Sequence, residues 1–334
     1  VNACALLDIG IEWLYPDDEQ SYIACNITAQ QISERLAGQH GRITAVYITS
    51  PDYLGNMQDI AAIARACHES GALLSVDNAH GAYLKFMPTP AHPMDLGADI
   101  CCDSAHKTLG VITGGAYLHI SVSAPAVLAE RAKASFSVFG TSSPSYLILQ
   151  SLDAANGTTE AFRNELRTFL PEADALKAKL AAHGFELAGS EALKLTLKPK
   201  SFGYSGQDIA ATLEAANIYP EFYDPDYIVL MLSPRHSERE LDALCDTLCS
   251  LPRRAPIVPA PPRMPRPERA ISPREALLAA AEKVPLLRCL GRISAASAIG
   301  CPPAIPIVIM GERIDPAAIA CLEYYGIESC MVIK

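Results

Sequence analysis

The sequence predicts an α/β large domain around a mostly parallel sheet, followed by a smaller α+β carboxy-terminal part. Three observations carry this expectation. Short β-branched runs alternate with amphipathic helical stretches through residues 1–155. Two of these runs stop abruptly on clusters of titratable side chains. From residue 156 to 251, short strands and helices alternate at a tighter spacing. Strand–helix–strand at the first spacing implies a right-handed crossover, and hence parallel neighbours.

In chain order, Val1, Ala5, Leu6 and Ile9 open an apolar helical pattern. Residues 43–48 form an apolar run of strand length that ends at Ser50 and Pro51. Residues 56–70 read as a helix with Asn56 as N-cap, Ile60, Ile63, Ala64 and Cys67 on one face, and Gly71 past its end. Residues 73–76 are a second buried strand, stopping at Asp77, and 98–102 are a third. A helical tract over 145–183 ends at Gly184. Strands at 194–197, 218–223 and 228–232 then alternate with helices at 207–216 and 237–250. Between residues 252 and 273, eight of 22 residues are Pro and five are Arg, which predicts a stiff connector kept solvated by its arginines. Residues 274–334 form a small terminal module.

Composition narrows the function. The chain has 334 residues, half of them hydrophobic and 19% charged, which excludes a disordered chain. No uninterrupted apolar run approaches the roughly 18 residues of a membrane span. A net charge of -10 argues against nucleic-acid binding. Eleven cysteines are scattered without zinc-site spacing, so no metal is expected. Reduced thiols and the lack of a secretory leader favour the cytoplasm.

The polar residues concentrate where open α/β sheets bind ligands, at the carboxyl ends of strands. One group is Asp77, Asn78, Ala79 and His80; the other is Asp103, Ser104, His106 and Lys107. A lysine at such a mouth, beside His106, is placed to act as a neutral amine and attack a carbonyl. An aspartate at the end of the adjacent strand supplies the fixed negative charge that keeps a pyridine nitrogen protonated. That pairing is what pyridoxal phosphate requires. Other readings exist for each residue. Lys107 suits a solvated loop, Asp77 a turn cap, and His80 a backbone carbonyl partner. Residues 141–145 also suit a hydroxyl-rich helix cap.

Asp77-x-Ala79-His80 followed by Ser104-x-His106-Lys107 resembles the paired signatures of fold-type-I PLP-dependent enzymes, whose fold is that of the PLP-dependent transferases. Within these the chain resembles the bacterial ornithine/lysine/arginine decarboxylases. Phe139-Gly140-Thr141-Ser142-Ser143-Pro144-Ser145-Tyr146, the stretch 149–155, Gly291-Arg292-Ile293-Ser294-Ala295 and Cys301-Pro302-Pro303-Ala304-Ile305-Pro306 extend the likeness. The resemblance implies that Lys107 holds PLP as an internal aldimine, Asp77 pairs with the pyridinium nitrogen and Ala79 packs on the ring. It implies that Ser104 and His106 contact the phosphate, and that Thr141 and Ser142 reach the cofactor of a partner in a homodimer. His80 is expected beside the ring, in proton handling or substrate positioning. The implied reaction is decarboxylation of a basic amino acid to an amine and CO2.

The chain departs from that family at Cys301, Ala304 and Met310, where Tyr, Gly and Pro are usual. The likeness is to the shorter branch of the family, for which no amino-terminal wing domain is expected. The family's glycine-rich phosphate loop and its ring-stacking His lie upstream of the part resembling residues 1–16. The chain is therefore expected to be a piece of a longer enzyme that alone binds PLP weakly. Two alternatives stay open. One keeps the fold and changes the reaction to transamination, which Arg235 placed as a carboxylate clamp would favour, or to a lyase step; the other is a catalytically silent fragment or dimerisation scaffold.

Overall fold

The computed structural model describes residues 1–16, 21–39, 42–141, 143–296 and 305–334. Helix α1 (Asn2–Leu7) and α2 (Ala29–Leu36) precede β1 (Ala45–Thr49), α3 (Ile60–Glu69), β2 (Leu73–Asp77), β3 (Ile100–Asp103), the short turn α4 (Ala105–Thr108) and β4 (Tyr117–Ile120). The strands form a sheet ordered β1-β2-β3-β4, parallel except for β4. Alternation places Ile48, Leu74, Val76 and Cys101 on one face, packed on Ile32, Leu36, Ile60, Ile63 and Cys67 of the two helices. A strand's period of two then sends Tyr47, Ser75, Asp77 and Cys102 to the other face.

The α3 helix starts later than its sequence suggests. Its N-cap is Asp59, which accepts from Ala62 N–H at 3.0 Å. Asn56 is drawn away by the buried Asp52, whose Oδ2 accepts from Asn56 Nδ2 at 2.7 Å and from Cys25 N–H at 2.8 Å. Asp52 Oδ1 takes the N–H groups of Leu54 and Asn56 at 2.9 and 2.8 Å. One carboxylate thus organises the whole 52–56 loop.

Helices α5 (Ala126–Phe139) and α6 (Tyr146–Gly157) bury no residue. The long helical tract is interrupted at Thr158, and α7 (Thr159–His183) ends where Gly184 adopts φ 113°. The second sheet contains β5 (Glu186–Ala188) and β6 (Lys194–Lys198), then, after α8 (Gly206–Ala215), β7 (Phe222–Tyr223) and β8 (Ile228–Met231). It is antiparallel in the order β5-β6-β8-β7, and α9 (Glu238–Cys249) completes this part. The strand expected from residue 218 begins only at Phe222, because Asn217 turns left-handed and Ile218 N–H closes α8 on Leu213 O at 2.9 Å. Leu166, Phe169, Leu180, Leu195, Leu197, Phe202 and Leu230 fill its core, which also takes in Tyr83 and Leu84 from the first half.

The two sheets are joined by a seam. Gly55 O accepts from Ser190 N–H and Glu191 N–H at 2.8 and 2.9 Å, and Leu54 O accepts from Thr196 Oγ1 at 2.9 Å.

Residues 252–272 run without helix or named strand, but several connector arginines are fastened rather than merely solvated. Arg254 lies 4.2 Å over the Tyr204 ring, Arg266 lies 5.1 Å over Tyr15, and Arg269 donates to Ile11 O at 3.0 Å. Planar guanidinium groups stack well on aromatic faces, and here they pin an extended segment. The terminal module holds α10 (Pro273–Leu278), β9 (Ala281–Pro285), α11 (Pro316–Tyr324) and β10 (Ser329–Ile333), with β9 and β10 antiparallel. Tyr324 joins this module to the second sheet. Its hydroxyl donates to Asp226 Oδ1 at 2.8 Å, which also pairs with Lys200 Nζ at 2.6 Å. No helix among the described residues is long and apolar enough to cross a membrane.

Candidate active site

Parallel neighbours bring the ends of β2 and β3 side by side, with Asp77 in register with Cys102 on the face away from the core. Asp77 is fixed through both oxygens. Oδ1 accepts Ala79 N–H at 3.1 Å, and Oδ2 accepts the Tyr47 hydroxyl at 2.9 Å. Burial and the neighbouring Asp77 carboxylate both raise the Tyr47 pKa, so this phenol stays a donor. Asn78 then dives inward. Its N–H donates to Cys102 O at 2.9 Å and its side chain to Asp103 Oδ1 at 2.7 Å. That turn lifts Ala79 and His80 above the strand ends.

On the neighbouring strand, Ser104 is the N-cap of α4, yet its hydroxyl makes no capping hydrogen bond. Lys107 follows within the same turn, its N–H on Ser104 O at 3.0 Å. Lys107 Nζ lies 2.6 Å from His80 Nε2, so the lysine after β3 and the histidine after β2 meet directly. His106 Nδ1 bonds Gly115 O at 3.0 Å, which directs its hydrogen to that atom and leaves Nε2 on the other side of the ring.

His80 is buried and enclosed. Lys194 Nζ approaches its Nδ1 at 2.9 Å, and Tyr53 meets its ring edge-on with centroids 5.1 Å apart. Burial first, then the charges of Lys194 and Lys107, push the His80 pKa down to about 2. It is therefore a neutral imidazole throughout the physiological range.

Asp77, Ala79, His80, Ser104, His106 and Lys107 thus gather at two adjacent strand ends. Thr141 is exposed between α5 and α6 and bonds within its own turn, accepting Ser143 N–H at 3.1 Å. Ser142, Cys301 and Ala304 lie outside the described residues. Arg235 pairs with Glu165 at 3.3 Å and lines a separate cavity of about 460 Å³ with His92, Asp103 and His119, without Lys107 or Asp77 in its lining.

Sequence reasoning passed over Lys194, Tyr47 and the His92–Asp103–His119 group. Asp103 Oδ2 is 3.0 Å from Nε2 of both histidines. Against burial, which raises it, hydrogen bonds from His119 and His92 hold the Asp103 carboxyl well below its ordinary range. These three side chains bring ligand atoms within 4.8 Å of one another. However, His92 Nδ1 accepts Met94 N–H at 3.3 Å, so its Nε2 carries a hydrogen toward Asp103. Lys194 carries no local signal, because it opens an alternating strand in which Thr196 and Lys198 are polar as well.

An amine, a carboxylate fixed through both oxygens, a hydroxyl and an imidazole at one sheet mouth are the donor set that a protonated pyridine ring bearing a phosphate calls for. The residues present fit PLP.

The fold is that of the fold-type-I PLP-dependent enzymes. Lysine decarboxylase A from Pseudomonas aeruginosa superposes with a TM-score of 0.74 at 17% identity, covering 92% of this chain and 60% of that one. A serine palmitoyltransferase solved with PLP superposes at 0.55 and 14% identity, over 67% of this chain and 58% of that one. The chain matches the Orn/Lys/Arg decarboxylase major domain over residues 9–200 and the Orn/Lys/Arg decarboxylase C-terminal domain over 262–329. It belongs to the Orn/Lys/Arg decarboxylase family. Arginine decarboxylase from Halalkalibacterium halodurans is 30% identical over 89% of this chain and 64% of its own length. That of Bacillus subtilis is 29% identical over 90% and 66%. The chain thus spans about two thirds of the length of these relatives.

Proposed function

We propose that this chain carries the PLP site of a decarboxylase that converts a basic amino acid (arginine, lysine or ornithine) to an amine and CO2. The observation that carries this reading is the meeting of Lys107 and His80 beside Asp77, in a chain of this family. When bound, the cofactor ring accepts the electron pair left by the departing carboxylate.

Lys107 supplies the amine that holds the cofactor and gives way to the substrate amine. Asp77, clamped by Tyr47 and Ala79, would be the residue that pairs with the ring nitrogen. Ala79 supplies a small apolar contact to one ring face. Ser104 and His106 hold the phosphate. Lys107 or His80, 2.6 Å apart, returns the proton to the substrate carbon. Thr141 and Ser142 serve the partner's site in a homodimer, for which the uncovered faces of α5 and α6 offer surface. The cytoplasm is the compartment this reading places the enzyme in.

Transamination needs the substrate carboxylate clamped in the ring plane. Arg235 is engaged by Glu165 and lines another cavity, which supports decarboxylation instead.

The test is PLP titration followed by visible absorbance, borohydride reduction and peptide mapping. A pyridoxyl group on Lys107, absent from Lys107→Ala, is the expected result, with CO2 release from arginine, lysine or ornithine. An adduct elsewhere, or none on Lys107 even with the upstream part restored, overturns it.

A further inference from the structure

His80 is contacted by two lysines, one on each ring nitrogen. A neutral imidazole has one N–H and one lone pair, so it cannot accept from both. One ammonium must yield, and the surroundings decide which.

Lys194 is held as an ammonium, which can only donate. Its side chain is 1% exposed, it donates to Asp52 O at 3.2 Å, and it is ion-paired with the equally buried Glu191 Oε2 at 3.1 Å. Burial raises the Glu191 pKa and Lys194 opposes that rise, so the carboxylate depends on this cation. Lys177, also facing Glu191, spends two hydrogen bonds on the Glu191 and Ala192 carbonyls at 2.8 and 2.7 Å. The Tyr53 ring, 5.8 Å from Lys194 Nζ, closes the remaining side. The third Lys194 contact is His80 Nδ1.

We propose that Lys194, a residue of the second sheet, is a positioning residue that fixes His80 in the tautomer protonated on Nε2 and so makes Lys107 the hydrogen-bond acceptor of that contact. Lys194 donates to Nδ1, so the imidazole hydrogen resides on Nε2 and points at Lys107 Nζ. A nitrogen that accepts a hydrogen bond must present a lone pair, and that lone pair is what a nucleophilic amine uses. Lys194 touches no reacting atom and acts through His80 alone. The inference rests on the functional reading above, but its central claim concerns only side chains of this chain.

The experiment is long-range 1H–15N correlation of the full chain labelled on histidine, without cofactor, at pH 7.5, with His80 assigned by its loss in His80→Asn. The parent is expected to show His80 in a single tautomer, with hydrogen on Nε2. Lys194→Met alone strands Glu191 in the interior and endangers the fold. The double variant Glu191→Leu, Lys194→Met removes both charges, because an apolar replacement of a whole buried pair is tolerated better than half of one. In it, His80 is expected to lose the Nε2–H preference, and borohydride-trapped pyridoxyl-Lys107 to form at least ~10-fold more slowly. Lys194→Arg, which still donates, is expected to retain the parent tautomer.

Hydrogen on Nδ1 in the parent, or an unchanged tautomer in the folded double variant, overturns the proposal. Should the double variant not fold, the parent spectrum decides alone. A parent with the expected tautomer but no adduct on Lys107 would refute the cofactor reading while leaving the tautomer lock standing.

Discussion

His80 carries an acid-sensitivity that can be read apart from catalysis. Its pKa, about 2 in the fold, is far below the ordinary 6.5, so the unfolded chain takes up a proton before the folded one does. Stability is therefore intact above pH 6.5 and declines as pH falls toward 2, at a slope approaching ~1.4 kcal/mol per unit. Asp224, raised to about 7 chiefly by burial, has the opposite sign: between its ordinary pKa and 7 the folded chain holds the extra proton, so acidification favours folding there. The difference between parent and His80→Gln isolates the histidine. Urea unfolding at pH 7.5 and 5.5 is expected to show the parent losing about 1 kcal/mol more than the variant. Equal losses would show that His80 is not held neutral.

At the scale of elements, the 52–56 loop depends on one buried carboxylate accepting four donors. Asp52→Asn exchanges an acceptor for an NH2 group facing N–H donors, which should cost ~2–3 kcal/mol in urea unfolding. A change within 0.5 kcal/mol would mean the loop is held otherwise. The same carboxylate explains a boundary that sequence reading misplaced. Asn56 is a good N-cap by type, but a long-range acceptor outcompeted the helix for it, and the cap passed to Asp59. The strands with strong alternation, and the site residues that follow β2 and β3, were legible because both follow from local pattern. Lys194 was not, since its partner His80 is 114 residues away and only the tertiary fold joins them. Arg254 was misjudged for a similar reason: a cation in a proline-rich stretch reads as solvated until Tyr204 is found beneath it.

For the whole molecule, the Lys200–Asp226–Tyr324 contact ties the terminal module to the second sheet. Lys200 also donates to Pro259 O at 2.8 Å, so one ammonium holds sheet, connector and module together. Tyr324→Phe removes the donor from the buried Asp226 carboxylate, and the connector over 252–272 is expected to be cut several-fold faster by trypsin at its arginines, with little change in the melting of the sheets. An unchanged cleavage rate would mean that the module is retained by its apolar contacts alone.

The seam at Gly55 and Leu54 has a mechanical meaning. Backbone carbonyls of one half are tied there to the strand carrying Lys194 in the other, within a few residues of the lysine–histidine pair. The tether sets the spacing of the two sheets at the place where Lys194 reaches across to His80, so backbone as well as side chains fixes the surroundings of the reactive amine.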